Sequence, residues 1–160
     1  MTSAPKSVAD AEHLARYVLS QSWLYKDARE GCPLRPTAFM PHPRVELSVY
    51  RIDGWSEKEI SDKGREVAAE REQKHRAKQL EMGLPYPEEK QTFRFLGRGQ
   101  LQAHSVRSAD LDVVPKEPPV RHADVVGWPP LSSNRKVDEA AQMAYALKLQ
   151  AKAEYIPAAC

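Results

Sequence analysis

Val45-Glu46-Leu47-Ser48-Val49-Tyr50-Arg51 is followed, after Ile52-Asp53-Gly54-Trp55, by Ser56-Glu57-Lys58-Glu59-Ile60. The first stretch alternates. Val45, Leu47 and Val49 fall on one face and Glu46, Ser48 and Tyr50 on the other, the period of a half-buried strand. Asp53-Gly54 is a turn signal, and Ser56 with Glu59 three residues on is a capping box. It opens a helix whose stripe of Ile60, Gly64, Val67 and Ala68 faces a core. A strand leading into a capped helix within sixteen residues sets the reading towards an α+β fold.

Further along lies Arg121-His122-Ala123-Asp124-Val125-Val126-Gly127-Trp128-Pro129-Pro130. If this stretch is extended, His122 and Asp124 project from the same side. Thr92–Leu96 alternates Phe93 and Phe95 against Arg94 and predicts a strand that Gly97-Arg98-Gly99 breaks. Leu101–Val106 fits a strand or a short helix, and Leu111–Val114 is a β-branched run stopped by Pro115. Ser132-Ser133-Asn134 caps a last helix, about Arg135 to Ala153, with a stripe of Val137, Ala140, Ala141, Ala144, Leu147 and Ala151.

Towards the N-terminus, Ser7-Val8-Ala9-Asp10 resembles a capping box, and Ala11, Leu14, Ala15 and Val18 predict a helix from about Val8 to Ser20. Lys26 to Pro43 holds four prolines and reads as a surface loop. Glu70 to Arg76 is polar all round, so 70–91 reads as a polar helix end and linker, with Arg71–Gln79 mobile or lying on a partner. The expected fold is one α+β domain over 1–160, with 1–6 and 154–160 as flexible ends. About three helices pack on a small, mostly antiparallel sheet with long Pro-rich loops. The sheet is expected to include Val45–Arg51, Thr92–Leu96 and Val125–Val126. The expected core is Leu14, Val18, Val45, Leu47, Val49, Ile60, Val67, Val125, Ala144 and Leu147.

The chain has 160 residues, 41% hydrophobic and 29% charged, with a formal net charge of +2. So small an excess does not supply the counterion release that drives non-specific nucleic-acid binding, so a nucleic acid or nucleotide is not the favoured partner. Cys32 and Cys160 cannot make a disulfide framework. Without a signal-peptide core or a membrane-spanning run, a cytoplasmic location away from membranes is expected. Cys32, His42, His104 and His122 lack the close pairing of zinc ligands, and no metal or cofactor is expected.

The candidate catalytic residues are His122, Asp124, Glu46 and Arg51. An imidazole with an unperturbed pKa of about 6.5 can act as a base near neutral pH. If Val45–Arg51 pairs beside the His122 segment, Glu46 or Ser48 approaches it, and Arg51 or Arg35 would hold an anion. The plainer reading has His122 bonded to a backbone group and Glu46-Ser48-Tyr50 as an ordinary half-exposed strand face. Candidate binding residues are the aromatic anchors Trp55, Trp128 and Tyr50 and, for phosphates, the loop cations Arg35 and Arg44, with Arg29 and His42 nearby.

The segments Ala38-Phe39, Glu46 to Arg51, Trp55 to Ile60 and Arg121 to Pro129 together resemble a group of small bacterial proteins. Its pattern is Ser-Val-Tyr-Arg, a helix, then His-Ala-x-x-x-Gly-Trp-Pro before an Ala-rich helix. The resemblance implies a bacterial single-domain protein and carries no activity, cofactor or catalytic residue. Two classes of function follow. One is a non-enzymatic protein-binding or accessory module of a multi-protein system. The other is a small enzyme acting on a phosphate-containing or acyl substrate with His122 as general base.

Overall fold

A computed structural model describes residues 7–25, 33–41 and 45–158. Its centre is a six-stranded sheet, antiparallel throughout, made by β1 (His13–Val18), β2 (Leu47–Arg51), β3 (Gly97–Gln102), β4 (Asp112–Pro115), β5 (His122–Val126) and β6 (Glu154–Pro157). The order across the sheet is β4-β5-β2-β1-β3-β6. Helix α1 (Glu57–Glu81) covers one face, where Ile60 and Ala68 pack with Tyr17, Leu19 and Tyr50. The other face carries the larger core of Leu14, Val18, Leu47, Val49, Val113 and Val125, closed by α2 (Ala103–Ser108), α3 (Arg135–Lys152) and the short 3-10 turn Pro36–Phe39. This is an α+β fold with three helices on an antiparallel sheet, as the alternating strand and capped helices imply.

The Ser56–Glu59 capping box forms as read: Glu59 N donates to Ser56 Oγ at 3.1 Å and Ser56 N donates to Glu59 Oε1 at 3.0 Å. Gly64 sits in the stripe because Phe95 and Tyr17 come so close that an added Cβ would lie 2.7 Å from the Phe95 ring.

Several expectations are corrected. The helix over 8–20 is instead a turn at Ala9–Glu12 followed by β1. Its stripe fitted a helix because β1 lies inside the sheet with both faces covered, and such strands do not show polar alternation. Thr92–Leu96 is not a strand but the extended approach to β3, with Arg94 N and Leu96 N donating to Leu19 O and Val18 O. Gly97-Arg98-Gly99 does not break a strand; it begins β3. Gly99 admits the Phe39 ring, whose Cζ would lie 2.9 Å from an added Cβ, so the glycine marks close packing across the sheet.

Leu101–Val106 divides between the end of β3 and α2. Residues 154–157 are not a flexible end but β6, the edge strand beside β3. Helix α3 buries Gln142, Ala146 and Leu149, while Val137 (57% exposed), Ala144 and Leu147 (47%) face outward. An Ala-rich helix offers two stripes of similar hydrophobicity. The face bearing Leu149, Met143 and Tyr145 removes more apolar area from water than the one bearing Val137 and Leu147. Of the other expected core residues, Leu14, Val18, Leu47, Val49, Ile60 and Val125 are buried, and Val45 and Val67 are half-buried.

The polar half of α1 is anchored within the chain. Glu72 is buried and accepts from Tyr86 Oη at 2.7 and 2.9 Å, from Thr92 N at 2.5 Å and from Phe93 N at 3.4 Å. Arg76 donates to the carbonyls of Tyr86, Pro87, Glu88 and Lys90 at 2.9–3.3 Å. The ring of His75 lies edge-on to Tyr86 and Phe93. The segment after α1 therefore folds back along it. A hydropathy stripe misses this because the anchoring groups are charged side chains meeting backbone donors and acceptors.

Candidate functional site

The pairing of β2 with β5 sets Ser48 opposite Asp124 and Tyr50 opposite His122. Because side chains alternate, Glu46, Ser48, Tyr50, His122 and Asp124 share one sheet face, while Leu47, Val49, Ala123 and Val125 enter the core on the other. The strand and the His122 segment thus meet in the register that brings their polar faces together.

His122 Nδ1 lies 2.9 Å from Lys116 O, and its ring stands edge-on to Tyr50 at 5.3 Å. With Nδ1 donating to that carbonyl, Nε2 is the proton-accepting atom, 3.7 Å from Asp124 Oδ1. Burial pushes the Asp124 carboxyl above the ordinary aspartate range. The charge of His122 opposes this, whereas the neighbouring Glu46 carboxyl, which shares a hydrogen bond with it, adds to it. Glu46 and Asp124 share a hydrogen bond, and His122 lies within ion-pair distance of Asp124 along the same sheet face.

Arg51 stands apart. Its side chain is 1% exposed and grips Glu12, Nε to Oε1 at 2.8 Å and NH2 to Oε2 at 2.9 Å, with NH2 also donating to Ser7 O. A bidentate pair of this kind fastens the N-terminal turn to the sheet, so the expected role of Arg51 as anion holder is not supported. Arg35 is exposed, beside the Tyr25 ring, and does not line the cleft at His122. Trp128 is buried, with Nε1 donating to Val125 O at 2.9 Å and Tyr145 packed beside it, so it is a core residue and not an exposed anchor. Trp55 is half-buried against the α1 face, and Tyr50 is buried at the floor of the cleft. Arg44, Arg29, Cys32, His42 and Cys160 lie outside the described residues.

The cleft beside His122 has a volume of about 430 Å³. Its walls include Glu46, Ser48 and Tyr50, and two cations that the sequence reading did not single out, Arg16 and Arg71. Arg16 lies where β1 and β2 part: the two strands pair only at Leu14–Arg51 and Ala15–Tyr50. Its guanidinium enters the gap, Nε donating to Ala38 O at 2.9 Å and NH1 to Ser48 O at 3.1 Å. Both guanidiniums lie over the Trp23 ring, at 5.0 Å for Arg16 and 5.3 Å for Arg71, and Arg71 also lies over Phe93 at 4.7 Å. Neither has an ion-pair partner among the described residues. Desolvation among the cleft walls, and then the charge of Arg71, push Arg16 down to about 9; Arg16 is half-buried, and Arg71, exposed overall, is lowered in the same direction by desolvation. Both stay charged at neutral pH.

Thr37 also lines the cleft, and its Oγ1 is buried with no hydrogen-bond partner among the described residues. The neighbouring cavity, about 810 Å³, shares Thr37, Met40 and Pro41 and reaches Leu131, Gln142 and Met143. Among the described residues no group of three or more His, Cys, Asp or Glu side chains could hold a metal ion, and no helix is long and apolar enough to cross a membrane. The signals that would have found Arg16 and Arg71 are weak, because one lies in a segment that reads as an amphipathic helix and the other in a highly charged run.

The chain matches no protein-family model, and no curated protein or solved structure is significantly similar to it.

Proposed function

We propose that this is a small-ligand-binding protein of the bacterial cytoplasm that holds a phosphate- or carboxylate-bearing molecule in the cleft between β2, β5 and α1. One observation carries the reading: the half-buried Arg16 guanidinium and that of Arg71 lie over the same Trp23 ring in the cleft, and neither has a carboxylate partner among the described residues. Taking an ion out of water costs several kcal/mol by rough estimate, and a like-charged neighbour adds to that cost. An anion at the pair would offset both, and guanidinium groups suit the paired oxygens of carboxylate and phosphate. His122 on the opposite wall would be the base if the bound molecule is also transformed, with Nε2 accepting the proton.

The test is thermal denaturation of the full chain with increasing inorganic phosphate or acetate, at constant ionic strength. Ligand at a hundred times its Kd stabilises by about 2.7 kcal/mol, or roughly 5–10 °C for a chain of this size. That shift should vanish in Arg16→Met and Arg71→Gln. No shift with either anion, or the same shift in both variants, would refute the reading.

The accessory-module reading has its own supporting observation at the far end of α1. Leu80, Met82 and Leu84 are 55%, 60% and 44% exposed within five residues. Large apolar side chains gathered this way suit a protein partner. Concentration-dependent association abolished by Leu80→Glu would support it, and a monomer at all concentrations with no captured partner would count against it.

A further inference from the structure

Opposite the arginine pair, the same cleft presents Glu46. Glu46 is half-buried, its partner among the described residues is the Asp124 carboxyl, and no cation pairs with it there. The cleft therefore keeps two guanidiniums and a carboxylate on its walls without letting them meet. Arg16 cannot swing across, because Ala38 O and Ser48 O hold it in the gap between strands. Glu46, just ahead of β2, and the two guanidiniums line one cleft of about 430 Å³, a space of small-molecule size. Leu19, Met40 and Val67 supply apolar wall, and Thr37 offers its unpartnered hydroxyl.

We propose that the natural ligand is a zwitterion whose phosphate or carboxylate sits on Arg16 and Arg71 and whose ammonium sits on Glu46, with a short methylene spacer between. The inference rests on the anion-site reading above and names the class of molecule it takes. A plain anion would leave Glu46 without an ion-pair partner among the described residues. An ammonium donates three hydrogen bonds and neutralises that wall.

Four probes in two matched pairs test this by calorimetric titration of the full chain, in a buffer free of phosphate, carboxylate and primary amine. Phosphoethanolamine is compared with ethyl phosphate, and 4-aminobutyrate with butyrate. The pair that binds tells phosphate from carboxylate. Within that pair, the ammonium member should bind at least tenfold more tightly, and Glu46→Gln should bring the two members to equal affinity. Equal or weaker binding of the ammonium member to the wild-type chain would overturn the zwitterion while leaving the anion site standing. A preference that survives in Glu46→Gln would overturn the assignment of Glu46. Binding by none of the four would overturn the anion site and the zwitterion together.

Discussion

Arg51 and Arg16 lie on the neighbouring strands β2 and β1, the first buried and the second half-buried, and their surroundings differ in kind. Arg51 meets the Glu12 carboxylate through two short bonds, and Arg98 on β3 likewise reaches Glu57 through NH1 and NH2 at 3.0 and 2.8 Å. Arg16 meets only carbonyl oxygens, an indole face and another cation. Where folding alone decides, a buried charge is paired. A half-buried cation held beside a second cation, with no carboxylate partner among the described residues and facing an open cleft, is best explained by what the cleft takes up. The corner at Arg51 is built to hold the chain, and the corner at Arg16 to hold something else.

The largest expected effect breaks the paired corner. Glu12→Ala should cost roughly 3–5 kcal/mol, because it leaves the Arg51 guanidinium buried without its carboxylate. Denaturant unfolding would show it, and a loss under 1 kcal/mol would mean that Arg51 holds no more of the fold together than Arg16 does. The pair also has a pH signature. Burial raises the Glu12 pKa, but the hydrogen bond and charge of Arg51 and the Ala9 amide outweigh it, so the folded value lies below the ordinary 4.5. The stabilisation is therefore present above about pH 4.5 and is lost as pH falls through the lower folded value. Acid unfolding of Glu12→Ala should lack that component.

Next comes the buried acid on α1. Glu72→Ala strips acceptors from Tyr86 Oη and the Thr92 and Phe93 amides, at roughly 2–3 kcal/mol. Hydrogen exchange should show Thr92, Phe93 and the end of α1 protected in the wild type and opened in the variant. Equal, weak protection in both would return Arg71–Gln79 to the solvated helix that its composition suggests.

The smallest effect concerns the wall opposite the arginines. Asp124 has its pKa raised, first by burial and then by Glu46 against the opposing charge of His122. Its contribution to stability is therefore greatest at low pH and declines as pH rises through the folded value. Asp124→Asn should then be stabilising at pH 7 by about 0.5–1 kcal/mol, with the gain shrinking in acid. A loss exceeding 1 kcal/mol at pH 7 would mean that the ionised carboxylate is well accommodated beside His122.

Local chemistry made β2, the Ser56 cap, β5 and the span of α3 legible from sequence, and with them the shared face of Glu46, Ser48, Tyr50, His122 and Asp124. Each is specified by residues within a few positions of one another. What was not legible depends on distant partners. β1 is a strand because β2 and β3 flank it, and a buried six-residue segment carries no period that separates strand from helix. Gly99 of β3 makes sense only once Phe39 is packed against it, and Gly97 only once β6 lies beside it. The outward turn of Leu147 is set by which α3 face meets the core. Arg16 and Arg71 are 55 positions apart and share a cleft only because β1 parts from β2 and α1 crosses above. No local pattern distinguishes Arg16, which lacks a carboxylate, from Arg51, which has one.

The most direct test of that distinction is the melting temperature of wild type and Arg16→Met, each with and without saturating phosphate or acetate. Without an added anion, Arg16→Met should stay within about 1 kcal/mol of wild type, since removing an uncompensated cation offsets the lost bonds to Ala38 O and Ser48 O. With an anion, only the wild type should rise. A variant several kcal/mol less stable, together with a wild type indifferent to both anions, would show that Arg16 is a structural residue like Arg51.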